Sequence, residues 1–363
     1  MWKYDLGRTG SYPNGPTIFP LKLKWTYNTG TYLSQPPIIA NNVAYIYGYG
    51  NGKLLAINAT TGLLKWSYSQ ATYEYLDDKT PTVAGGVLYV TGVASVDNGA
   101  TYPNVLFAFD ANTGVLKWKY DTKNRTSADY SNVAVFNNVA YVPIGTKLYA
   151  LDAITGTLKW VYASPSQFGF TTHCAISNGV VYVGDGWSSS LGNYNVCALD
   201  AVTGVLKWRY IIPEVNKHVS GISIANGMVY FGTEGNGTRD GALCALDANT
   251  GSLKWKNTNH IDVNMVAVAD GIVYANVNNG GRGLQAFDAN TGAIKWSTPS
   301  YAGIGISNGL AFVSGSYFTV LDAKTGALKW NYTYFSTFGF GEPFIYNGNV
   351  YVCENSSLYC FGQ

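Results

Sequence analysis

One motif, D-A-x-T-G-x-x-K-W with close variants, occurs seven times along the chain and constrains its fold more than any other feature. The copies are LLAINATTGLLKW (54–66), LFAFDANTGVLKW (106–118), LYALDAITGTLKW (148–160), VCALDAVTGVLKW (196–208), LCALDANTGSLKW (243–255), LQAFDANTGAIKW (284–296) and FTVLDAKTGALKW (318–330). Starting from Trp25, the tryptophans of the series are spaced by 41, 52, 42, 48, 47, 41 and 34 residues. A period of this size that varies by insertion is typical of the blades of a propeller.

Each repeat predicts four antiparallel strands, called A to D here. In the fourth repeat, THCAIS and VVYVGD are strands A and B, and NVCALD and VLKWRY are strands C and D. The A–B turn is Asn178–Gly179, and Asn-Gly between two alternating runs is a strong hairpin signal. In the C–D turn, the Asp is expected to accept hydrogen bonds from the backbone two or three residues on, while the Gly takes a positive φ.

Eight tryptophans are predicted to be structural, because each can wedge between adjacent sheets and bury a large area. They are Trp25, Trp66, Trp118, Trp160, Trp208, Trp255, Trp296 and Trp330.

The two ends of the chain carry the two halves of one further repeat. LKLKWTY (21–27) has no motif before it, and SLYCFGQ (357–363) has no tryptophan after it. We therefore expect an all-β protein, a single eight-bladed β-propeller of four-stranded antiparallel blades over residues 1–363. Residues 342–362 would supply strands A to C of the closing blade and residues 21–27 its strand D, which removes an open sheet edge.

The motif and its spacing resemble the repeat of the pyrroloquinoline-quinone-type, or PQQ-like, propeller family. That family includes quinone-dependent alcohol dehydrogenases and non-enzymatic scaffolds such as the lipoprotein of the outer-membrane assembly machinery. The resemblance implies that an enzyme would carry adjacent cysteines against the quinone and insertions that supply metal ligands and a catalytic Asp. This chain has neither. No cofactor is expected, and bound PQQ or a divalent metal is the alternative.

The composition of the chain limits which partners and which cellular compartments are expected. Charged residues make up 12% of the chain and the net charge is +2, which argues against a nucleic-acid partner. No apolar run reaches the length of a membrane span. Low charge favours an extracellular, cell-surface or periplasmic protein. The start, MWKYDLGRTGSYPNGP, lacks a signal-peptide pattern, so the alternatives are a cytosolic protein and one whose signal has been removed.

No catalytic residue is assigned. The motif aspartates share one structural turn, and G-x-S-x-G, H-E-x-x-H and P-loop sequences are absent. His173, His218 and His260 precede strand A in three consecutive repeats, so they are candidate metal ligands on one face. Loop-packed or solvated histidines are the alternative. Cys353 and Cys360 would face each other across a turn at Ser356–Ser357, where a disulfide is an open alternative to free thiols.

Insertions fall in the B–C and D–A loops, which share one face of a blade, whereas the A–B and C–D turns are short. Loops on a rigid scaffold often carry binding residues. The expected function is a non-enzymatic module that recognises a protein or glycan through this loop face. A channel-bound quinone or metal, in an enzyme or carrier, and self-assembly at the cell surface are the alternatives. The candidate partner-binding residues are Tyr73, Tyr75, Tyr130, Phe168, Phe170, Trp187, Tyr194, Phe338 and Phe340.

Overall fold

The computed structural model shows β-strands and turns throughout the residues it describes. These residues are 5–6, 8–33, 35–48, 52–69, 74–76, 80–94, 104–123, 132–164, 169–170, 172–185, 194–214, 217–235, 241–260, 262–278, 282–299, 303–315, 317–332 and 341–363. Within these ranges no helix is long and apolar enough to cross a membrane.

The strands follow the repeats in chain order. The first ten are β1 (Lys22–Asn28), β2 (Ile38–Ala40), β3 (Val43–Gly48), β4 (Lys53–Asn58), β5 (Leu64–Ser69), β6 (Glu74–Leu76), β7 (Thr82–Ala84), β8 (Val87–Ala94), β9 (Asn104–Asp110) and β10 (Leu116–Asp121). The next sixteen are β11 (Ala134–Phe136), β12 (Val139–Ile144), β13 (Lys147–Asp152), β14 (Leu158–Ala163), β15 (Ala175–Ser177), β16 (Val180–Asp185), β17 (Asn195–Asp200), β18 (Leu206–Ile211), β19 (Lys217–Ala225), β20 (Met228–Gly235), β21 (Gly241–Asp247), β22 (Leu253–His260), β23 (Asp262–Ala269), β24 (Ile272–Asn278), β25 (Arg282–Asp288) and β26 (Ile294–Thr298). The last seven are β27 (Ile304–Ser307), β28 (Leu310–Ser314), β29 (Phe318–Asp322), β30 (Leu328–Tyr332), β31 (Phe344–Tyr346), β32 (Asn349–Glu354) and β33 (Ser357–Gly362).

The chain forms two compact units. Unit 1 comprises residues 1–4, 11–126 and 302–363. It holds the sheets β2-β3-β4-β5 and β27-β28-β29-β30, and a sheet of β10, β9 and β8 in which both β7 and β6 pair with β8. Its fourth sheet has the order β1-β33-β32-β31.

Unit 2 comprises residues 5–10 and 127–301. Two of its sheets are β11-β12-β13-β14 and β15-β16-β17-β18. Strands β19–β22 and β23–β26 form two further four-stranded sets, which one backbone pair, Glu234↔Asp262, joins into a single sheet. All these pairings are antiparallel, and four-stranded antiparallel sheets in series are consistent with a β-propeller.

The N-terminal strand completes the C-terminal sheet. Strand β1 pairs with β33 from Lys22↔Gly362 to Asn28↔Ser357. This is the pairing expected from the two half-repeats. It places Trp25 beside Tyr351, with ring centroids 5.9 Å apart.

The same sheet corrects the expectation for Cys353 and Cys360. The turn is Asn355–Ser356, one residue earlier than expected, because Asn355 adopts the positive φ of 50° that asparagine tolerates. Cys360 therefore pairs with Tyr351, and Cys353 pairs with Leu358. All five cysteines are buried free thiols.

The repeat turns have the expected chemistry. In the third repeat, Asp152 Oδ1 accepts hydrogen bonds from the N–H groups of Ile154 and Thr155, each at 3.0 Å. Its Oδ2 lies 3.2 Å from Lys159 Nζ. Both residues of each A–B turn have positive φ, as at Asn178 (49°) and Gly179 (71°). Type I′ turns of this kind match the twist of the hairpins that they close.

Five motif glycines also make room for a tryptophan of the preceding sheet. A Cβ at Gly204 would lie 2.6 Å from the Trp160 ring, and one at Gly114 would lie 2.6 Å from Trp66. Gly62, Gly251 and Gly292 face Trp25, Trp208 and Trp255 in the same way. The Gly of the T-G pair therefore meets two demands, a positive φ of about 72° and an aromatic ring against its Cα.

In the described residues, a tyrosine that the motif does not contain acts with five of the tryptophans. Tyr141 Oη and Trp160 Nε1 both donate to the carbonyl of Ala201, the Ala of the next motif. The same arrangement joins Tyr351 and Trp25 to Ala59, Tyr45 and Trp66 to Ala111, Tyr182 and Trp208 to Ala248, and Tyr230 and Trp255 to Ala289. Neighbouring sheets are thus held by two directed bonds as well as by apolar packing.

Candidate functional site

The two ends of the sheets differ in the length of their connections. Within sheets, A–B turns have two residues, as between β15 and β16. At the other end, the B–C connections range from two residues between β12 and β13 to nine between β8 and β9, and the D–A connections from one residue between β22 and β23 to twelve between β10 and β11. Variable connections on a uniform frame make this end, called the loop face here, the candidate functional surface.

In unit 2 the loop face carries a rigid polar ledge, defined here as His218, Glu234 and Asp262. His218 pairs with Glu234 across β19 and β20, and Glu234 pairs with Asp262 across β20 and β23. The three residues therefore form one row across three strands. His218 Nε2 lies 2.9 Å from Glu234 Oε2, and the two side chains are 33% and 26% exposed. An imidazole beside carboxylates, partly open to water, can donate and accept hydrogen bonds to a ligand or partner.

Close backbone packing makes the ledge rigid. A Cβ at Gly232 would lie 2.1 Å from the carbonyl oxygen of Val263, so only glycine allows the two strand sets to approach here. Ser220 Oγ donates to the same carbonyl. Beneath the ledge, the ring centroid of Tyr194 lies 6.5 Å from that of His218.

The three histidines proposed as metal ligands have different surroundings. His173 is half-buried, and its Nδ1 accepts a hydrogen bond from the backbone N–H of Asn132 at 3.0 Å. His218 belongs to the ledge. His260 ends β22 and pairs through its backbone with Gly241, and its side chain lies outside the described part of the structure. Among the described residues, no group of three His, Cys, Asp or Glu side chains is arranged to hold a metal ion.

Two of the aromatic residues proposed to bind a partner are buried instead. Phe170 is 4% exposed and packs against Tyr162 at 6.4 Å, and Tyr194 is 2% exposed. Both rings pack into the interior, because a large aromatic ring gains more free energy by burial than by exposure. Tyr75 lies in β6, where only its backbone is described. Tyr73, Tyr130, Phe168, Trp187, Phe338 and Phe340 lie outside the described residues.

Two buried carboxyl groups lie at the loop-face end of the sheet β1-β33-β32-β31. Glu354 ends β32 and is 2% exposed, and neither of its carboxylate oxygens has a hydrogen-bond partner among the described residues. Glu342 is 8% exposed and packs against Gly303. In the sequence, Glu342 stands in the loop before β31, whereas Glu354 lies in an ordinary strand pattern that does not mark it as a candidate site residue.

The described residues do not fit the quinone centre that the repeat resemblance implies. Such a centre needs adjacent cysteines and a set of oxygen ligands for its metal. The cysteines stand apart in sequence, and the carboxyl groups and histidines of the described ranges form no three-ligand cluster. No reaction step is therefore derived for this chain.

Comparison with known proteins decides the family. Residues 104–235 and 214–361 match the family model described as outer membrane protein assembly factor BamB. The chain belongs to this family. The crystal structure of BamB from Moraxella catarrhalis is similar, with a TM-score of 0.69 at 15% identity, and the match covers 95% of this chain and 98% of that one.

Quinone enzymes share the fold. A europium-containing methanol dehydrogenase superimposes with a TM-score of 0.77 at 14% identity, over 100% of this chain and 97% of that one. A curated relative, the dehydrogenase subunit of a quinone alcohol dehydrogenase from Gluconobacter oxydans (strain 621H), is 35% identical over 113 residues. That match covers 30% of this chain and 14% of the relative's length.

Proposed function

We propose that this BamB-family protein is a non-enzymatic scaffold that binds a protein partner in outer membrane protein assembly. The observation that carries the proposal is the match of residues 104–361 to the BamB family model. The scaffold is a single eight-bladed propeller in which the sheet β1-β33-β32-β31 is the divided closing blade. Eight A–B hairpins in the described residues support that count.

The partner binds the loop face, and the ledge is part of its site. Support comes from the variable connections at that end and from the rigid row of His218, Glu234 and Asp262. Rigid polar groups that need no ordering on binding lose little entropy when a partner docks. Since outer membrane assembly takes place at the cell envelope, we place the protein there.

Site-specific photo-crosslinking tests this function. A photo-reactive amino acid replaces His218 on the loop face or, as a matched control, Val202, which is 82% exposed in a C–D turn of the same unit. In an envelope extract of the native host, position 218 should give one discrete crosslinked product that contains an outer membrane assembly component. Identical products from both positions, or none from position 218, would contradict a loop-face partner site.

A quinone-dependent dehydrogenase is the second candidate, favoured by the 113-residue match to the Gluconobacter oxydans dehydrogenase subunit. It is tested by native mass spectrometry of the purified protein incubated with pyrroloquinoline quinone and a divalent metal. A stoichiometric mass increment would move the second candidate ahead of the scaffold, and its absence would leave the scaffold in first place.

A further inference from the structure

An N-terminal segment, residues 5–6 and 8–10 and called the hook here, contacts the first strands of three successive four-stranded sets of unit 2. The N–H of Ile176, in β15, donates to the carbonyl of Leu6 at 2.7 Å. The N–H of Val268, in β23, donates to the carbonyl of Thr9 at 2.6 Å. Three successive A strands, β15, β19 and β23, thus contact one short stretch of chain.

The strand between these two contributes a side chain. Ser223 Oγ, in β19, lies 2.8 Å from the carbonyl oxygen of Arg8 and 2.6 Å from that of Val266. Ser223 is fully buried. Each of the three strands therefore presents one donor to the backbone of the hook.

The hook also places a cation in the interior. Arg8 is 3% exposed, and its Nε donates to the carbonyl of Cys174. Burial lowers the pKa of Arg8 to about 10, so the guanidinium stays charged at neutral pH. The carboxylate of Asp5 accepts hydrogen bonds from the N–H and hydroxyl of Thr9 and stabilises the charge of Arg8. Removing one member of a buried charge pair is destabilising, because the other charge is left uncompensated.

The pattern of contacts is that of a bound peptide. The sheets hold the hook through its carbonyl groups, which every sequence possesses, and one deep side chain provides selectivity. Recognition of extended peptides at sheet edges works in this way. Leu6 and Thr9 are only half-buried. Segments with few buried side chains open at lower free-energy cost than core strands.

We propose that the A-strand edges of β15, β19 and β23 form a peptide-binding groove, which the chain fills with its own hook. When the hook leaves, the groove accepts an extended segment of a partner protein that carries arginine at the position of Arg8. This site is separate from the loop-face ledge, and it stands or falls independently of the scaffold function.

A peptide competition experiment on the full-length chain tests the groove. The probe is a fluorescent synthetic peptide of residues 1–16, with an Arg8→Ala peptide as its matched control. Saturable binding is expected for the first peptide, with at least a tenfold weaker affinity for the control. The full-length Arg8→Ala variant, whose own hook is weakened, should bind the unaltered peptide at least tenfold more tightly than the natural chain does. Equal binding of both peptides, or none of either, would overturn the proposal.

Hydrogen exchange of the unmodified protein gives a second readout that does not depend on a variant folding. The amides of Ile176 and Val268 bond to hook carbonyls, so they report its departure. They should exchange faster than the amides between β16 and β17, and saturating peptide should slow them. Exchange of both sets only by global unfolding would show that the hook is a permanent part of the fold and would refute the groove.

Discussion

Tyr141 and Trp160, whose ring centroids lie 5.8 Å apart, donate hydrogen bonds to one acceptor, the carbonyl oxygen of Ala201, at 2.9 and 3.1 Å. A carbonyl oxygen has two lone pairs, so both donors can be satisfied at once. Burial raises the pKa of Tyr141 to about 12, so its hydroxyl stays protonated and can donate at neutral pH. The same pair of donors recurs at Ala59, Ala111, Ala248 and Ala289 and joins neighbouring sheets within each unit.

Tyr141→Phe should lower the free energy of unfolding by about 0.5–1.5 kcal/mol, the net contribution of one hydrogen bond. The loss stays small because Trp160 still satisfies the Ala201 carbonyl and the ring still fills its space. Denaturant unfolding followed by tryptophan fluorescence measures it. A loss of several kcal/mol would mean that the hydroxyl has a further role, and no loss would mean that the second bond is redundant.

The seventh repeat gives the reverse test, because Phe312 stands where the other repeats have tyrosine. The ring centroids of Trp330 in that repeat and of Phe19 lie 6.2 Å apart. The sheet β1-β33-β32-β31, which the two ends of the chain form, has no motif alanine whose carbonyl could accept a hydroxyl. Phe312→Tyr should therefore destabilise the protein by about 1–3 kcal/mol, the cost of a buried unsatisfied hydroxyl. Denaturant unfolding of this variant beside Tyr141→Phe makes the comparison. An unchanged or raised stability would show an acceptor at this position after all.

The repeat made much of the frame predictable, because its signals are local. Asn178–Gly179 forms a turn, and Asp152 accepts hydrogen bonds from residues two and three positions on. Because these interactions are with near neighbours in the chain, sequence spacing is enough to predict them. The pairing of β1 with β33 was also predictable, since each half-repeat lacked the half that the other supplied. The partner of each tryptophan was not, because the shared carbonyl lies in the next repeat, for example 41 residues from Trp160.

The contacts of the hook and the burial of the loop aromatics could not be predicted from the sequence. Arg8 bonds to a residue 166 positions away, and nothing periodic marks such a contact. Phe170 and Tyr194 stand next to polar, glycine-rich stretches of sequence that suggest exposure, yet both side chains are buried. Residue type identifies what can bind a partner, but only the path of the loop determines which residues are exposed.

Gly169 should prove essential for the close approach of residues 169–170 to Gly145. Its φ is +84°, and a Cβ there would lie 2.3 Å from the carbonyl oxygen of Gly145, which also accepts the Phe170 N–H. Gly169→Ala should therefore cost several kcal/mol in unfolding free energy, since backbone would have to shift. The matched control is Gly179→Ala, with a φ of +71° but open space around its Cβ, which should cost only about 1–2 kcal/mol. Thermal unfolding of both variants checks the order, and equal losses would contradict a role for the close approach.

Acid stability should depend on the motif aspartates. Hydrogen bonds from Thr155, the side chain of Lys159 and Ile154 lower the pKa of Asp152 from its ordinary value of 3.8 to about 2. A carboxyl group whose pKa is lower in the folded state stabilises the fold above its unfolded pKa, and that contribution is lost as the pH falls from about 4 towards 2. The pKa values of the other five motif aspartates are lowered as well, so the contributions of all six to acid sensitivity add. These five are Asp110, Asp200, Asp247, Asp288 and Asp322.

Asp152→Asn separates the charge from the turn geometry. Asn58 of the first repeat already accepts the N–H groups of Thr60 and Thr61 at 2.9 and 3.0 Å, so an amide can cap this turn without a charge. The variant should fold, lose a little stability at pH 7 because the Lys159 contact is gone, and show a shallower decline in unfolding free energy between pH 4 and 2. Denaturant titrations across that pH range measure the slope. The converse variant, Asn58→Asp, should steepen it, and parallel slopes for all three proteins would mean that the acid sensitivity arises elsewhere.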